Sequence, residues 1–185
     1  MISKIYSKRR AVYPAQYNTE EITIEEIQML LAAANWAPTH KRTEPWRFKV
    51  FHTKESRSKL SSFLATTYKE KAEKFSEVTF KKYQKNPLKA ACVIAVCYQR
   101  DTKESIPEWE EIAATAMAVQ NMWLAASELE IGAYWGTPAI AKYLPNFIKM
   151  EEGEHCLGFF YMGKYNEPLP EGFRNTSTDG KTTWV

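Results

Sequence analysis

A short loop bounded by Pro38 and Pro45 is rich in side chains that could do chemistry. It contains, in order, Thr39, His40, Lys41, Arg42, Thr43 and Glu44. Proline fixes one backbone dihedral and disfavours helical angles in the residue before it, so we expect a helix to end near Pro38 and the loop to be stiff. Polar groups on a loop next to a rigid element are typical of binding sites. His40 is the candidate for ligand contact, although a lone histidine is more often a structural hydrogen-bonding group.

Two further clusters place polar groups at the boundaries of predicted elements. Lys8, Arg9 and Arg10 form a basic cluster near the N-terminus. This cluster is a solvated face, a nucleic-acid contact or an anion site, and paired guanidinium forks suit the geometry of a phosphate. Residues 135–137, Trp-Gly-Thr, follow an apolar run and precede a proline, which predicts a tight turn with exposed backbone N–H groups. The glycine of this turn allows a ligand to approach the backbone closely.

Four apolar segments predict the strands that position these clusters. In the first, Trp46, Phe48 and Val50 alternate with basic residues, which indicates a half-buried strand with these three side chains on one face. The second is a continuous apolar run with β-branched residues, which predicts a central strand buried on both faces. The predicted strands span residues 46–52, 89–98, 131–135 and 154–163.

Helical patterns fill most of the remaining chain. Thr23 and Glu26 have the spacing of a capping box, ahead of an apolar periodicity that leads into the proline-bounded loop. Other helices are predicted at residues 3–13, as one or two surface helices at 55–84, at 107–129, and as a short helix from 139 that Pro145 ends. The tail from residue 164 onward has little helical periodicity, and we expect it to wrap over the surface or over a partner.

The predicted helix at residues 107–129 is apolar on nearly every side beyond its first turn. A helix with so little polar surface has to be covered all round. Packing two copies of the chain together does this readily in a protein of this size, so we interpret the helix as a dimer core element. A helix buried within one chain is the alternative.

Length and composition indicate one globular domain over residues 1–185. The chain is 44% hydrophobic and 25% charged, with a formal net charge of +3, so bulk charge alone does not predict nucleic-acid binding. Cys92, Cys97 and Cys156 lie in apolar surroundings and are interpreted as free buried thiols, and their spacing predicts no zinc site. The sequence shows no signal-peptide core and no long uncharged apolar run, so we expect a cytoplasmic protein.

Taken in chain order, these features resemble the FMN-dependent nitroreductase family, and in particular its short single-domain NAD(P)H nitroreductase branch. They are the arginine pair, the capped helix, the Ala-Pro-x-His-x-x-x-x-Pro-Trp loop with its strand, the long apolar helix and the Trp-Gly-Thr turn. The resemblance covers nearly the whole chain, and the loop with its strand is the most specific part.

The resemblance implies an α+β, three-layer α/β/α fold and an intertwined homodimer with FMN at the subunit interface. It implies hydride transfer from NAD(P)H through FMN to a nitroaromatic, quinone or similar acceptor by a ping-pong mechanism, with FMN rather than a protein nucleophile carrying the chemistry. His40 would approach the flavin from the partner subunit. The implied cofactor-binding residues are Arg9, Arg10, Ala11, His40, Glu44, Trp135, Gly136, Thr137 and Arg174.

The chain departs from the family pattern at four positions, one of which is Trp36, where some close relatives have a basic residue. Ala11 stands where the family has a serine, Tyr13 where a basic residue is frequent, and Glu44 where glutamine precedes Pro-Trp. A carboxylate near an anionic reduced flavin is unfavourable unless Lys41 or Arg42 neutralises it. These departures leave a second hypothesis open, a flavin-binding protein with a storage or sensing role and little reductase activity.

Overall fold

A four-stranded antiparallel sheet lies at the centre of the computed structural model, which describes residues 2–166 and 168–185. The strands are β1 (Trp46–Phe51), β2 (Cys92–Gln99), β3 (Gly132–Gly136) and β4 (Glu154–Gly163), in the order β1-β2-β4-β3. All four predicted strands are present, and no end differs from its prediction by more than three residues. Strands β1 and β3 are the two edge strands. The segment before β1 and the segment after β3 therefore lie at opposite edges of the sheet.

Helices cover both faces of the sheet, which confirms the predicted α+β, three-layer architecture. They are α1 (Ile2–Lys8), α2 (Ile24–Asn35), α3 (Lys54–Lys71), α4 (Glu77–Lys89) and α5 (Glu108–Glu128). One core joins α2 and α5 to the sheet, and a second core joins α3, α4 and the 3-10 helix Ala139–Asn146 to its other face. The organisation as a single domain stays a prediction.

The capping box predicted for α2 is present with both hydrogen bonds. The Glu26 backbone N–H donates to Thr23 Oγ1 at 3.1 Å, and the Thr23 N–H donates to Glu26 Oε2 at 2.9 Å. The helix ends at Asn35, shortly before Pro38, as the sequence indicates. Two backbone donors that a helix start leaves unpaired are therefore satisfied by local sequence.

Three local predictions are wrong in detail. The helix predicted at residues 3–13 ends at Lys8, because the chain then becomes extended and Ala11 pairs with Ala133 at the edge of the sheet. Val50 is exposed, whereas Trp46 is buried and Phe48 packs against the same core, so the apolar face of β1 is covered only over its first half. Phe51 instead is buried in the core on the other face. Pro145 does not end the helix that begins at residue 139, because this segment is a 3-10 helix that continues to Asn146. The Phe147 N–H, two residues after the proline, donates to the Leu144 carbonyl at 2.9 Å, so the turn continues past the missing N–H of Pro145.

The central strand β2 is buried along nearly its whole length, as its continuous apolar sequence predicts. Cys92 and Cys97 contribute to opposite cores, and all three cysteines are free. Over the described part of the chain, the structure contains no helix that is both long and apolar enough to span a membrane.

Candidate functional site

Three arginines converge beside the C-terminal half of α5. Arg9 follows α1, and its guanidinium carbon lies 4.5 Å from the centre of the Trp123 ring, in cation–π geometry. Partial burial, followed by the neighbouring charges of Arg174 and Arg10, lowers the pKa of Arg9 from its ordinary value. Among the side chains that the structure describes, no carboxylate forms an ion pair with any of these three arginines. The cluster is therefore an electropositive site that favours an anion.

Arg10 is held against the chain by backbone carbonyl groups. Its Nε donates to the Pro170 carbonyl at 2.9 Å, and its Nη1 donates to the carbonyls of Arg9, at 2.9 Å, and Ser7. The tail is so close that a Cβ added at Gly172 would lie 2.4 Å from the Arg10 guanidinium carbon. The first part of the tail thus packs over the arginine cluster, as expected of a tail that wraps over the surface, and this brings Arg174 to Arg9.

The arginines are joined to the edge strand β3 by the residues that follow them. Ala11 forms a parallel bridge with Ala133, and the Val12 N–H donates to the Ala133 carbonyl at 2.9 Å. Because the pairing is parallel, the arginine cluster lies toward the start of β3 and the Trp-Gly-Thr turn lies at its end. Tyr13 packs on Tyr134 of β3 with ring centres 4.7 Å apart.

Arg10 lies level with Gly132 at the start of β3, and β3 ends at Gly136 of the Trp-Gly-Thr turn. At about 3.3 Å of rise per residue, the turn is about 13 Å along the strand from Arg10. The Nε1 atom of Trp135 is buried and has no hydrogen-bond partner among the described residues. Gly136 is buried and Thr137 is exposed. Gly158 of β4 packs directly beneath them, where its φ is +146° and an added Cβ would lie 2.2 Å from the Gly136 carbonyl oxygen. Gly158 therefore allows the turn to lie against β4.

The proline-bounded loop lies at the N-terminal end of α5. His40 Nδ1 is 2.5 Å from Glu110 Oε2, and Lys41 Nζ donates to the Ser105 carbonyl at 2.8 Å. Lys41, Arg42 and Glu44 all have positive φ, at 49°, 55° and 43°. Left-handed angles at three non-glycine residues of one loop are uncommon, and such strain clusters at functional sites.

Glu44 is exposed and is fixed through its backbone rather than its side chain. Its N–H donates to Thr39 Oγ1 at 3.2 Å, and its carbonyl accepts from Arg47 Nη1 at 2.9 Å. In the described structure neither Lys41 nor Arg42 forms an ion pair with Glu44. The neutralisation that the sequence left open is therefore not made within one chain.

The site residues inferred from the sequence fall into two groups in the folded chain. Arg9, Arg10, Ala11, Trp135, Gly136, Thr137 and Arg174 lie along the β3 edge, whereas His40 and Glu44 lie beside the start of α5 and β1. Glu110 and Trp123, which mark the two groups on α5, are about 20 Å apart at about 1.5 Å of rise per residue. Three strand spacings of about 4.8 Å also separate the β1 and β3 edges. One chain therefore does not bring all of these residues together.

Three residues of these sites were missed by reasoning from the sequence. Trp123 lies within the predicted apolar helix at residues 107–129, and in the structure it stacks on Arg9 and its Nε1 donates to the Arg10 carbonyl at 3.2 Å. Glu110 was considered only as part of a helix start, and Gly158 only as part of a strand. Glycine inside an apolar strand is a signal for close backbone approach that could have identified Gly158. Nothing in the local sequence pairs Glu110 with His40.

Comparison with known proteins identifies the family. A protein of Bacillus subtilis (strain 168), YfhC, named as a candidate NAD(P)H nitroreductase, is 24% identical over 95% of this chain and 90% of its own length. The crystal structure of a nitroreductase-like family protein from Bacillus cereus superposes with a TM-score of 0.82 at 26% identity, covering 100% of this chain and 96% of that one. A nitroreductase with bound FMN from Bacteroides fragilis NCTC 9343 gives 0.73 at 19% identity, over 100% and 98% of the two chains. The sequence profile of the Nitroreductase family matches residues 6–164, and this chain belongs to that family.

Proposed function

We propose that the protein is an FMN-dependent oxidoreductase that passes a hydride from NAD(P)H through FMN to a nitroaromatic, quinone or similar acceptor. The observation that carries the proposal is the convergence of Arg9, Arg10 and Arg174 beside Trp123, without a carboxylate partner among the described side chains. Guanidinium groups of this kind suit a phosphate monoester, which is the charged end of FMN. Family membership and the FMN bound in the Bacteroides fragilis nitroreductase support the same choice.

The residues along the β3 edge fit FMN in character as well as in charge. The arginines would hold the phosphate at one end, and the Trp-Gly-Thr turn at the other end would meet the flat ring with apolar surface and backbone donors. The buried, unpartnered Nε1 of Trp135 is a hydrogen-bond donor that a bound ligand or a small rearrangement would satisfy. When bound, FMN supplies hydride transfer, and the chain itself contributes binding, orientation and exclusion of water.

We propose that the functional unit is a homodimer that completes the site. Along α5, Trp109 is 67% exposed and Met117 is 40% exposed in the single chain, with Ala113 and Ala116 between them only partly buried. Such an apolar stripe is typical of an interface. In a two-fold dimer that packs α5 antiparallel on its copy, the His40 end of one chain lies beside the Arg9 end of the other.

A site shared in this way gives a concentration-dependent test. FMN should leave the protein as the dimer dissociates, so flavin release on dilution, followed by fluorescence, should coincide with the loss of dimer seen by light scattering. Full retention of FMN by a monomer would reject the shared site.

We also propose that the enzyme is cytoplasmic, where its three free cysteines stay reduced.

The proposed activity is tested first on purified protein. We expect a flavin absorbance spectrum, oxidation of NADH or NADPH on addition of a nitroaromatic or quinone, and parallel lines in double-reciprocal plots, which indicate a ping-pong mechanism. The double variant Arg9→Ala/Arg10→Ala should lose FMN, because the phosphate loses both guanidinium partners. Lys82→Ala/Lys85→Ala removes the same charge from the exposed side of α4 and should keep it. Unchanged flavin content in the arginine variant would reject the phosphate site.

A storage or sensing role is the second candidate, and Glu44 is the observation that favours it. Its carboxylate is exposed on the loop and has no ion-pair partner among the described residues. Close to the ring, this charge would disfavour an anionic reduced flavin. Tight FMN binding with no oxidation of pyridine nucleotide in the presence of acceptors would support this role against the reductase.

A further inference from the structure

A histidine–carboxylate pair lies at the proline-bounded loop, away from the arginine cluster and the Trp-Gly-Thr turn. His40 Nδ1 lies 2.5 Å from Glu110 Oε2, and Glu110 belongs to the first turn of α5. The His40 side chain is 56% exposed and the Glu110 side chain 22% exposed, so the carboxylate lies on the protein side of the ring. An ionised carboxylate only accepts hydrogen bonds, so Nδ1 carries the hydrogen. The other ring nitrogen, Nε2, lies on the side of the ring away from Glu110. It is an acceptor when the ring is neutral and a donor when the ring is doubly protonated.

The loop around His40 is built to hold this orientation. Lys41 is tied to the Ser105 carbonyl at 2.8 Å, and Thr39 Oγ1 lies 3.1 Å from Thr43 Oγ1. The positive φ angles on the C-terminal side of His40 are strained for residues other than glycine. Strain of this kind persists only where surrounding contacts determine the backbone, so the position of the imidazole is specified by more than its own bond to Glu110.

We propose that His40 is the proton donor to the electron acceptor, through Nε2, and that Glu110 is its positioning residue. The inference rests on the proposed function and adds to it the group that supplies the proton. A quinone that receives a hydride needs one proton as well. The Nε2–H bond of the doubly protonated ring breaks, an O–H bond forms on the quinone oxygen, and water returns the proton to Nε2. A nitro group that receives one hydride and one proton in this way, the proton coming from His40 Nε2, gives a nitroso group and water.

Glu110 does two things in this arrangement. As an acceptor it holds the hydrogen on Nδ1, which selects the tautomer of the neutral ring. As a carboxylate fixed on a helix it also restrains the ring plane and leaves Nε2 on the side of the ring opposite the Glu110 contact, where an acceptor bound in the proposed dimer could reach it. Glu108, one residue before Trp109 in the same turn, bonds the Tyr98 hydroxyl instead and provides a matched comparison.

The tautomer can be measured without cofactor or substrate. In ¹⁵N-labelled protein at a pH where the His40 ring is neutral, nitrogen shifts should identify the Nδ1–H form. Glu110→Ala should shift the ring toward the Nε2–H form, whereas Glu108→Ala should leave it unchanged. A neutral Nε2–H ring in the unaltered protein would overturn the positioning role, whatever the variants do.

Stopped-flow kinetics then separate the two half-reactions. Only reduction of the acceptor needs the proton, so His40→Gln should slow reoxidation of the flavin by a quinone on the order of 10²-fold. Glu110→Ala should slow the same step about tenfold through misplacement of the ring. Glu110→Ala should keep the FMN content and the rate of flavin reduction by NAD(P)H. In His40→Gln, compared on the flavin-bound fraction, reoxidation should slow more than flavin reduction does. Glu108→Ala should match the unaltered enzyme in every step.

The outcomes distinguish the two proposals. Absence of FMN or of NAD(P)H oxidation in the unaltered protein would overturn the proposed function. Normal FMN content with an unchanged reoxidation rate in His40→Gln would overturn only the proton-donor role. Equal slowing of both half-reactions would also reject it, because that result indicates a general disturbance of the flavin site.

Discussion

Replacement of Gly158 by alanine tests how the Trp-Gly-Thr turn is positioned. Gly158 lies in β4 next to a register irregularity in its pairing with β2. Its φ is +146°, and an added Cβ would lie 2.2 Å from the Gly136 carbonyl oxygen and 3.0 Å from Thr137 Cα. Both neighbours are backbone atoms, so no side-chain rotation relieves the contact. Alanine should therefore push the turn away from β4.

The expected loss of stability follows from two costs. A non-glycine residue in this region of φ costs about 1–3 kcal/mol. Overpacking against fixed atoms costs about 1–3 kcal/mol more. A total near 4 kcal/mol corresponds to a fall in Tm of about 10 °C for a domain of this size. Because the turn is also the proposed ring-binding end of the site, FMN retention should fall with it.

The measurement is a thermal melt followed by circular dichroism, together with the ratio of flavin to protein by absorbance. All samples need the same protein and FMN concentrations, since ligand and subunit binding raise Tm by mass action. Gly180→Ala is the matched control, because an added Cβ there has no atom within 4 Å. A Gly158→Ala protein that melts within 2 °C of the unaltered chain and retains FMN would show that the turn adapts, contrary to this reasoning.

Three further predictions concern the interface, a helix start and the thiols. Met117→Glu should yield monomers that lose FMN, because a charge would be buried in the proposed dimer seam; a stable flavin-bound dimer by light scattering would contradict it. Thr23→Ala should cost about 1 kcal/mol in urea unfolding by removing the cap of α2, and a change below 0.3 kcal/mol would show the cap to be dispensable. A hydrogen bond with the Cys97 thiol lowers the pKa of Cys156. Burial raises the pKa of Cys92 to about 12. Iodoacetamide at mildly alkaline pH should therefore label Cys156 first, as followed by mass spectrometry. The protonated Cys92 thiol should contribute its full share of stability below its ordinary pKa of 9.0. That contribution should be lost as pH rises toward about 12.

Elements set by local sequence were predicted well. The capping box and Pro38 determine where α2 begins and ends, and the uninterrupted apolar run of β2 determines its place inside the sheet. The apolar pattern also predicted both ends of α5 within about one residue of where they lie in the structure. In each case the controlling interactions lie within a few residues or depend only on burial, so they are readable from periodicity and caps.

The details of the site depend on contacts between distant parts of the chain. Trp123 lies 113 residues from the Arg10 carbonyl to which it donates, and Glu110 lies 70 residues from His40. No periodicity encodes such pairs. The left-handed loop residues are equally hidden, because lysine, arginine and glutamate rarely adopt these angles and carry no local signal for them.

The apolar surface of α5 and the distance between the two groups of site residues have one common explanation. Within one chain, the arginine cluster and His40 lie at opposite ends of α5, and the turn after β3 and the loop before β1 lie at opposite edges of the sheet. A two-fold axis perpendicular to α5 would bury the exposed Trp109 and Met117 and would exchange the ends of the helix in the same operation. The proposed dimer thus accounts for two independent observations, exposed apolar side chains on a long helix and a ligand site that one chain leaves divided. Loss of FMN without loss of the dimer in Met117→Glu would break that link and leave each observation to be explained separately.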